Sequence, residues 1–367
     1  MVAGEASGDL LAGLLLQGLR ARWPALTAQG IGGPKMLAQG FETWWPHGKL
    51  SIFGYVDALL NLRELLFIRK QLGSRLIADR PDLFIGVDAP DFNFGLEARL
   101  RAAGIRTVHF VCPSIWAWRP ERIETIRRAA DHVLCLFPFE PEILHRAGIG
   151  ASYVGHPLAD AIPMEPPRAA AREALGLAEE GDTVIALLPG SRRSEIQHIA
   201  PALIGAARLL ARPGRRFVMP VVPGLRGLVE PLLQGADIRL LDGQSHAALA
   251  ACDLTLVASG TATLEAALFK RPMVIAYRMN ALNWWRMKGR GLLPWVGLPN
   301  ILAREFLVPE LIQNDCTPER LAAEAEALLA DVPRRAALHA RFTQLHELLR
   351  QDTAQRAADA IAELLPA

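Results

Sequence analysis

The sequence predicts an α/β protein built from two doubly wound halves, and three observations carry this reading. Short apolar runs without polar alternation recur at 83–87, 107–111, 132–137, 183–188, 215–221, 253–257 and 273–277. Amphipathic helical patterns lie between them, at 91–103, 119–129, 194–211 and 263–269. The densest proline cluster of the chain, 155–167, divides the alternation into two similar stretches. Runs without polar alternation are strands buried on both faces, which means parallel sheets covered by helices. Strand–helix alternation then winds each half into a Rossmann-like layer structure.

The predicted units are a first half at 1–157, a linker at 158–182, a second half at 183–317 and a helical tail at 318–367 rich in Ala, Leu, Glu and Arg. A chain of 367 residues, 51% hydrophobic and 21% charged, has the material for two packed cores, which excludes disordered and fibrous classes. A formal net charge of +2 gives no broad basic footprint, so no nucleic acid is expected as a partner. The four cysteines are Cys112, Cys135, Cys252 and Cys316. No Cys-x-x-Cys occurs among them, which points to a reduced cytoplasmic protein without a zinc ribbon. No apolar run approaches the roughly 20 residues of a spanning helix, and Glu5 and Asp9 interrupt any signal-peptide pattern.

In an open α/β sheet, ligands bind beyond the carboxyl ends of the strands, so the strand-to-helix turns carry the chemistry. The first turn, Ala3 to Asp9, has two glycines that let a ligand approach the backbone, with Glu5 placed for a sugar hydroxyl or a proton transfer. Its plainer reading is a turn capped by Ser7 or Asp9. Neither this turn nor Gly30-Ile31-Gly32-Gly33 fits G-x-G-x-x-G, which argues against a nicotinamide dehydrogenase. The second turn, Asp88-Ala89-Pro90-Asp91-Phe92-Asn93, puts Asp88 at a buried strand's end, where a carboxylate can serve as general base. Asp91 reads as the cap of the following helix. In the third, Trp116 and Trp118 either wall a cleft or simply pack.

The fourth turn, Pro189-Gly190-Ser191-Arg192, offers N–H groups and a fixed positive charge to an anion, and suits a leaving diphosphate better than an ATP phosphate. No Walker P-loop occurs. The fifth, Ala258-Ser259-Gly260-Thr261-Ala262-Thr263-Leu264-Glu265, opens a helix whose N-terminus can hold a diphosphate, with Glu265 one turn on to take ribose hydroxyls. A capping pattern with an exposed glutamate is the plainer alternative. No D-x-D pair stands at a strand end, so a metal-independent reaction without a cofactor is expected. The helical segment 55–72 carries a stripe of Tyr55, Leu59, Leu62 and Leu66, but also Phe67 and Ile68 on other faces. With Arg63, Arg69 and Lys70 it could rest on an anionic membrane or receive acyl chains; a wholly buried helix is the alternative. Trp284 to Arg290 is a second such segment.

Taken together, the motifs AGEASGD (3–9), DAPDFN (88–93), PSIWAW (113–118), FPFE (137–140), GHPLAD (155–160), LPGSR (188–192), LLDG (240–243), ASGTATLE (258–265), YRM (277–279) and LPN (298–300) resemble the bacterial lipid A disaccharide synthases. These are glycosyltransferases of GT-B type, family 19, and the likeness runs from residue 2 to about 350. It implies transfer of 2,3-diacylglucosamine from its UDP donor to 2,3-diacylglucosamine 1-phosphate, with inversion and a β(1→6) link. It implies Asp88 as base, and Glu5, Arg192 and Asn300 as polar residues needed for activity. It implies a UDP site of Gly190, Ser191, Arg192, Leu241, Ser259, Gly260, Thr261, Glu265, Tyr277, Arg278 and Met279. It also implies an acyl- or membrane-facing surface of Leu59, Leu62, Arg63, Leu66, Phe67, Arg69 and Lys70, a peripheral place at the cytoplasmic face of the inner membrane, and a homodimer.

Two departures from the resembled pattern stand out. The first strand, 1–3, is short, which predicts a weak edge strand, and Gly297 replaces a serine before Leu298-Pro299-Asn300. Two rivals are weighed against this reading. Another UDP-sugar enzyme on the same fold, such as a UDP-N-acetylglucosamine 2-epimerase or a peptidoglycan transferase, would not explain DAPDFN or the apolar-basic helix. A non-enzymatic nucleotide-sugar-binding protein would be indifferent to Asp88→Asn.

Overall fold

The computed structural model describes residues 1–4, 6–46, 55–177, 181–280, 284–285, 289 and 291–365. The chain forms two compact units, Met1–Asp160 with Leu349–Ala367, and Ala161–Leu348.

The first unit holds β1 (Val2–Ala3), α1 (Ala6–Arg22), β2 (Gln29–Gly32), α2 (Pro34–Leu37), β3 (Glu42–Pro46), α3 (Tyr55–Asp79), β4 (Phe84–Val87), α4 (Pro90–Ala102), β5 (Thr107–Phe110), α5 (Ile123–Ala129), β6 (His132–Cys135), α6 (Glu140–Arg146) and β7 (Gly150–Tyr153). Its strands are all parallel, in the order β3-β2-β1-β4-β5-β6-β7. The two-residue β1 is therefore interior, paired with β2 and β4, and not the edge strand expected from its length. Every residue of β4 and β5 is buried, as a parallel sheet covered on both faces requires. One face packs on Leu15, Leu16 and Leu19 of α1. The other packs on Ile68, Leu72 and Leu76 of α3 and Leu96 and Leu100 of α4.

The short helix α7 (Pro157–Ala161) follows in the chain, and the second unit holds α8 (Arg168–Ala174), β8 (Thr183–Leu188), α9 (Arg193–Leu210), β9 (Arg215–Val221), α10 (Arg226–Leu233), β10 (Arg239–Asp242), α11 (Ser245–Ala251), β11 (Leu254–Ala258), α12 (Thr261–Leu268), β12 (Met273–Tyr277), a helix at Leu298–Ala303 and β13 (Glu310–Ile312). The strand order is β10-β9-β8-β11-β12-β13, again all parallel.

The division differs from the one expected. Within 158–182, the helix Arg168–Ala174 belongs to the second unit, where Arg172 Nη2 donates to Asp253 Oδ2 at 2.6 Å. The tail is no unit of its own. Helix Pro318–Ala330 packs in the second unit: Arg215 of β9 donates to both oxygens of Glu326, at 2.5 and 2.6 Å. Helix Thr353–Leu364 returns to the first, burying Ala357, Ala358 and Ile361 in the α1 cluster. GHPLAD is the seat of that return. Gly155 stands where a Cβ would lie 2.5 Å from Gln351 Cβ, and the Asp160 carboxylate accepts the N–H groups of Gln351, Asp352 and Thr353. The stripe of uncapped N–H groups at that helix start explains why a carboxylate is placed there.

Candidate active site

In each sheet the strand order reverses direction at one point, between β1 and β4 and between β8 and β11. The crevice beyond the carboxyl ends of such strands is where open α/β sheets take ligands. Four of the five turns singled out in the sequence leave these four strands, and the fifth leaves the neighbouring β5.

In the first unit, Glu5 lies outside the described residues. Asp9, in the same turn, is buried and does not cap its own helix. Its carboxylate accepts N–H groups from Gly33 at 2.8 Å, Lys35 at 2.9 Å and Met36 at 3.1 Å, fixing the start of α2. Asp88 follows β4, half-buried, with φ 50, and Ala89 follows it with φ 44. Left-handed backbone costs a non-glycine residue about 1–2 kcal/mol, so the turn must be held. Asp88 N donates to Phe110 O at 2.9 Å, and Asn93 Nδ2 donates to Asp88 O at 2.8 Å. Among the described residues no donor reaches the Asp88 carboxylate. Ala89 is the N-cap of α4, so Asp91 is not the cap expected; its side chain, 87% exposed, pairs with Arg122 at 2.5 Å. Pro90 at the first helical position displaced it from that place.

The two tryptophans part company. Trp116 Nε1 donates to Glu140 Oε1 at 3.0 Å, and its ring meets Phe137 and Phe139 edge-on; Trp118 is 40% exposed with Arg119 over its ring. Glu140 also accepts from Phe137 N at 3.0 Å. Burial pushes its carboxyl up to about 8, with those donors pulling the other way. Nothing in the sequence flagged Glu140 beyond its place in FPFE.

In the second unit, the LPGSR turn is already engaged. Glu195 Oε2 accepts from Ser191 N at 2.9 Å and Arg192 N at 3.2 Å, as in a capping box. Gly190 has φ 105, and a Cβ there would lie 2.5 Å from the same oxygen. The Arg192 guanidinium is 64% exposed, 3.7 Å from Glu195. Tyr277, at the end of β12, has its phenol raised by burial and then by Glu195, with Arg192 opposing, so these three side chains share one field. Arg278 is exposed and Met279 half-buried beside it.

Gly260, with φ 143, is the N-cap of α12; the space where its Cβ would stand is open, and Thr261 is exposed. Ser259 Oγ donates to Val296 O at 2.9 Å. Glu265 has one oxygen 3.5 Å from His246 Nε2. Leu241 is buried in β10, so only its backbone borders the carboxyl edge.

Asn300, expected as a polar residue needed for activity, is engaged within the protein. It is fully buried, its Nδ2 donates to Val308 O and Glu310 Oε1, and its Oδ1 accepts from Val308 N. Glu310 in turn accepts from Val296 N and Gly297 N. Asn300 thus holds the 296–310 loop, which also receives Ser259. A hollow of about 390 Å³ lies instead at the amino ends of β8 and β9, where Arg172, Arg215, Asp253 and Glu326 pair with one another; it is a salt-bridge network far from these turns in the sheet.

On α3, the buried face is Ile68, Leu72 and Leu76, while Leu66 is 44% and Phe67 57% exposed beside exposed Arg63 and Lys70. Arg69 Nη1 donates to Asp91 O at 3.4 Å. The side chains of Leu59 and Leu62 lie outside the described residues. Among the described residues no helix is long and apolar enough to cross a membrane.

Two all-parallel doubly wound units, each with a turn at its switch point, make a fold of GT-B type. Solved structures agree on the fold. UDP-GlcNAc 2-epimerase from Neisseria meningitidis superposes with TM-score 0.65 at 15% identity over 99% of this chain and 98% of its own. The glycotransferase of kitacinnamycin gives 0.65 at 16% over 100% and 98%. The family described as LpxB, lipid-A-disaccharide synthetase, matches residues 1–364. The lipid-A-disaccharide synthase of Albidiferax ferrireducens is 57% identical over 100% of this chain and 96% of its own, and that of Paraburkholderia xenovorans 54% over 100% and 95%. The chain belongs to the lipid-A-disaccharide synthase family and is a glycosyltransferase of lipid A biosynthesis.

Proposed function

We propose that the enzyme transfers 2,3-diacylglucosamine from its UDP donor to the 6-hydroxyl of 2,3-diacylglucosamine 1-phosphate in a single inverting displacement. The observation that carries the mechanism is Asp88, a carboxylate on a held turn at a switch point with no described partner. Asp88 takes the hydroxyl proton as that oxygen forms its bond to the anomeric carbon. The bond from that carbon to the diphosphate breaks, and its electron pair leaves with UDP. The N-terminus of α12 and Arg192 face the growing negative charge, so the reaction needs no metal. For a diphosphate to reach the Ser191 and Arg192 N–H groups, the Glu195 carboxylate has to release them. Glu265 takes the ribose hydroxyls. The exposed Leu66 and Phe67, flanked by Arg63 and Lys70, fit a peripheral seat at the cytoplasmic face of the inner membrane. The family resemblance further supports a homodimer.

The test is turnover of the two lipid substrates in detergent with EDTA, native protein beside Asp88→Asn. Release of UDP and a disaccharide by the native protein alone is expected, with Asp88→Asn slower by about 100-fold or more while still binding UDP. No product from the native protein, or full activity with Asn at 88, sinks the mechanism.

A further inference from the structure

We propose that Asn93, Glu97 and His109 form a buried positioning cluster that sets the aim of Asp88; the proposal rests on Asp88 being the base. Asn93 and Glu97 stand one turn apart on α4, on the face turned to the sheet, and both are fully buried. Beneath them β4 carries Gly86. A Cβ there would overlap Glu97 Oε1 and stand 3.0 Å from Asn93 Cβ, so the glycine makes room for both polar side chains. His109 of β5 is the register partner of Gly86, is fully buried, and holds Nδ1 2.7 Å from Glu97 Oε1. The Phe94 ring, 4.5 Å from the imidazole, closes the layer.

A carboxyl–imidazole contact in a buried layer is a poor source of stability compared with apolar packing of the same volume. It is also incompletely satisfied: Asn93 Oδ1, Glu97 Oε2 and His109 Nε2 are buried without a partner among the described residues. Native cores rarely carry three such atoms together unless the site does something else. What lies at its edge is the Asp88 turn. Asn93 Nδ2 donates to Asp88 O at 2.8 Å and reaches Val87 O and Val2 O at 3.4 Å, tying both switch-point strands to the carbonyl of the base. The other hold on the turn, Asp88 N to Phe110 O, comes from the residue following His109. Thus one cluster fixes the turn through α4 and through β5.

A double-mutant cycle tests this. Asn93→Ala is expected to lower kcat about 100-fold with KM for both sugars within about threefold, as misaiming a reacting group does. In the Asp88→Asn background the same change should cost less than about threefold, because there is no base to aim. Glu97→Gln, which keeps a hydrogen bond to His109, should retain most of the kcat that Glu97→Ala loses. Equal losses in both backgrounds, or a loss carried by KM, overturn the positioning role. Wild-type turnover by Asp88→Asn alone would instead remove the base reading, and the proposal with it. Melting by circular dichroism accompanies each variant; if Asn93→Ala does not fold, the Glu97 pair carries the cycle.

Discussion

Raising the pH from 6.5 to 8 should remove the stability that one buried carboxyl gives the first unit, a loss read against a variant that lacks it. Burial lifts the Glu140 carboxyl from its ordinary 4.5 to about 8, so between those values the folded protein holds a proton that the unfolded chain has released. Stability therefore falls as pH rises through this window, by about 1.4 kcal/mol per unit. His156, its ring 5.8 Å from that of Phe137, works in the other direction. Burial lowers it from 6.5 to about 4, so the unfolded chain binds the extra proton there and stability rises with pH. From 4.5 to 6.5 the two slopes nearly cancel; from 6.5 to 8 Glu140 by itself contributes a loss of about 2 kcal/mol, opposed by the Met1 amino group, which burial lowers from 8.0 to about 5. Glu140→Gln isolates it. Gln still accepts one of the two hydrogen bonds from Trp116 and Phe137, and its own cost does not depend on pH. The assay is urea unfolding followed by tryptophan fluorescence at half-unit steps of pH. The stability of the native protein relative to the Gln variant should drop by about 2 kcal/mol between pH 6.5 and 8. A flat difference would mean that Glu140 is ionised in the folded protein and that its two N–H donors hold an anion.

Gly86→Ala should drive the Glu97 carboxylate off its place beside His109, costing about 2–3 kcal/mol of stability by overpacking and a lost buried hydrogen bond. Turnover should fall with UDP affinity unchanged, read by unfolding and calorimetry; unchanged stability would show that the carboxylate yields freely. Phe67→Asp together with Leu66→Asp should lower flotation with anionic vesicles by about tenfold or more, from the lost apolar burial of two side chains exposed at 57% and 44%. Equal flotation of native and variant would refute α3 as the membrane seat.

Much of the fold was legible because its longest strands are largely apolar runs. Thr183–Leu188, Arg215–Val221 and Met273–Tyr277 begin and end where the sequence predicts. The strands that escaped are short or glycine-bearing. Gln29–Gly32 has two glycines in four residues, and Gly150–Tyr153 and Glu310–Ile312 sit at sheet edges where polar residues face out. The turns carrying the candidate site were legible from small residues at strand ends. Partners across the fold were not. That Asp9 serves Gly33, Lys35 and Met36, that Asp160 serves residues near 352, and that Asn300 is locked to Val308 and Glu310 depend on long-range contacts with no local period. The buried Glu97–His109 pair was hidden for the same reason: each residue alone reads as an ordinary polar position on a helix or strand.

The two switch-point turns solve different problems with different backbone chemistry. A diphosphate is recognised by N–H groups and a helix dipole, which requires bare, open backbone. The second unit supplies it with glycine at the positive-φ positions, φ 105 at Gly190 and 143 at Gly260; the space at Gly260 is open, and at Gly190 only the Glu195 carboxylate has to move aside. A general base needs the opposite, a side chain held at one place against the hydroxyl it deprotonates. The first unit reaches a left-handed turn with Asp88 and Ala89, residues that disfavour it, and must hold them with Asn93 from below and Phe110 from the side. Such strain persists only where its surroundings over-determine it. Replacing Ala89 by Gly would relieve part of the strain and stabilise the turn locally, yet free the carboxylate to wander. Strain and buried polar atoms therefore gather around the Asp88 turn, which moves a proton, and are absent from the Gly190 and Gly260 turns, which only have to offer their N–H groups.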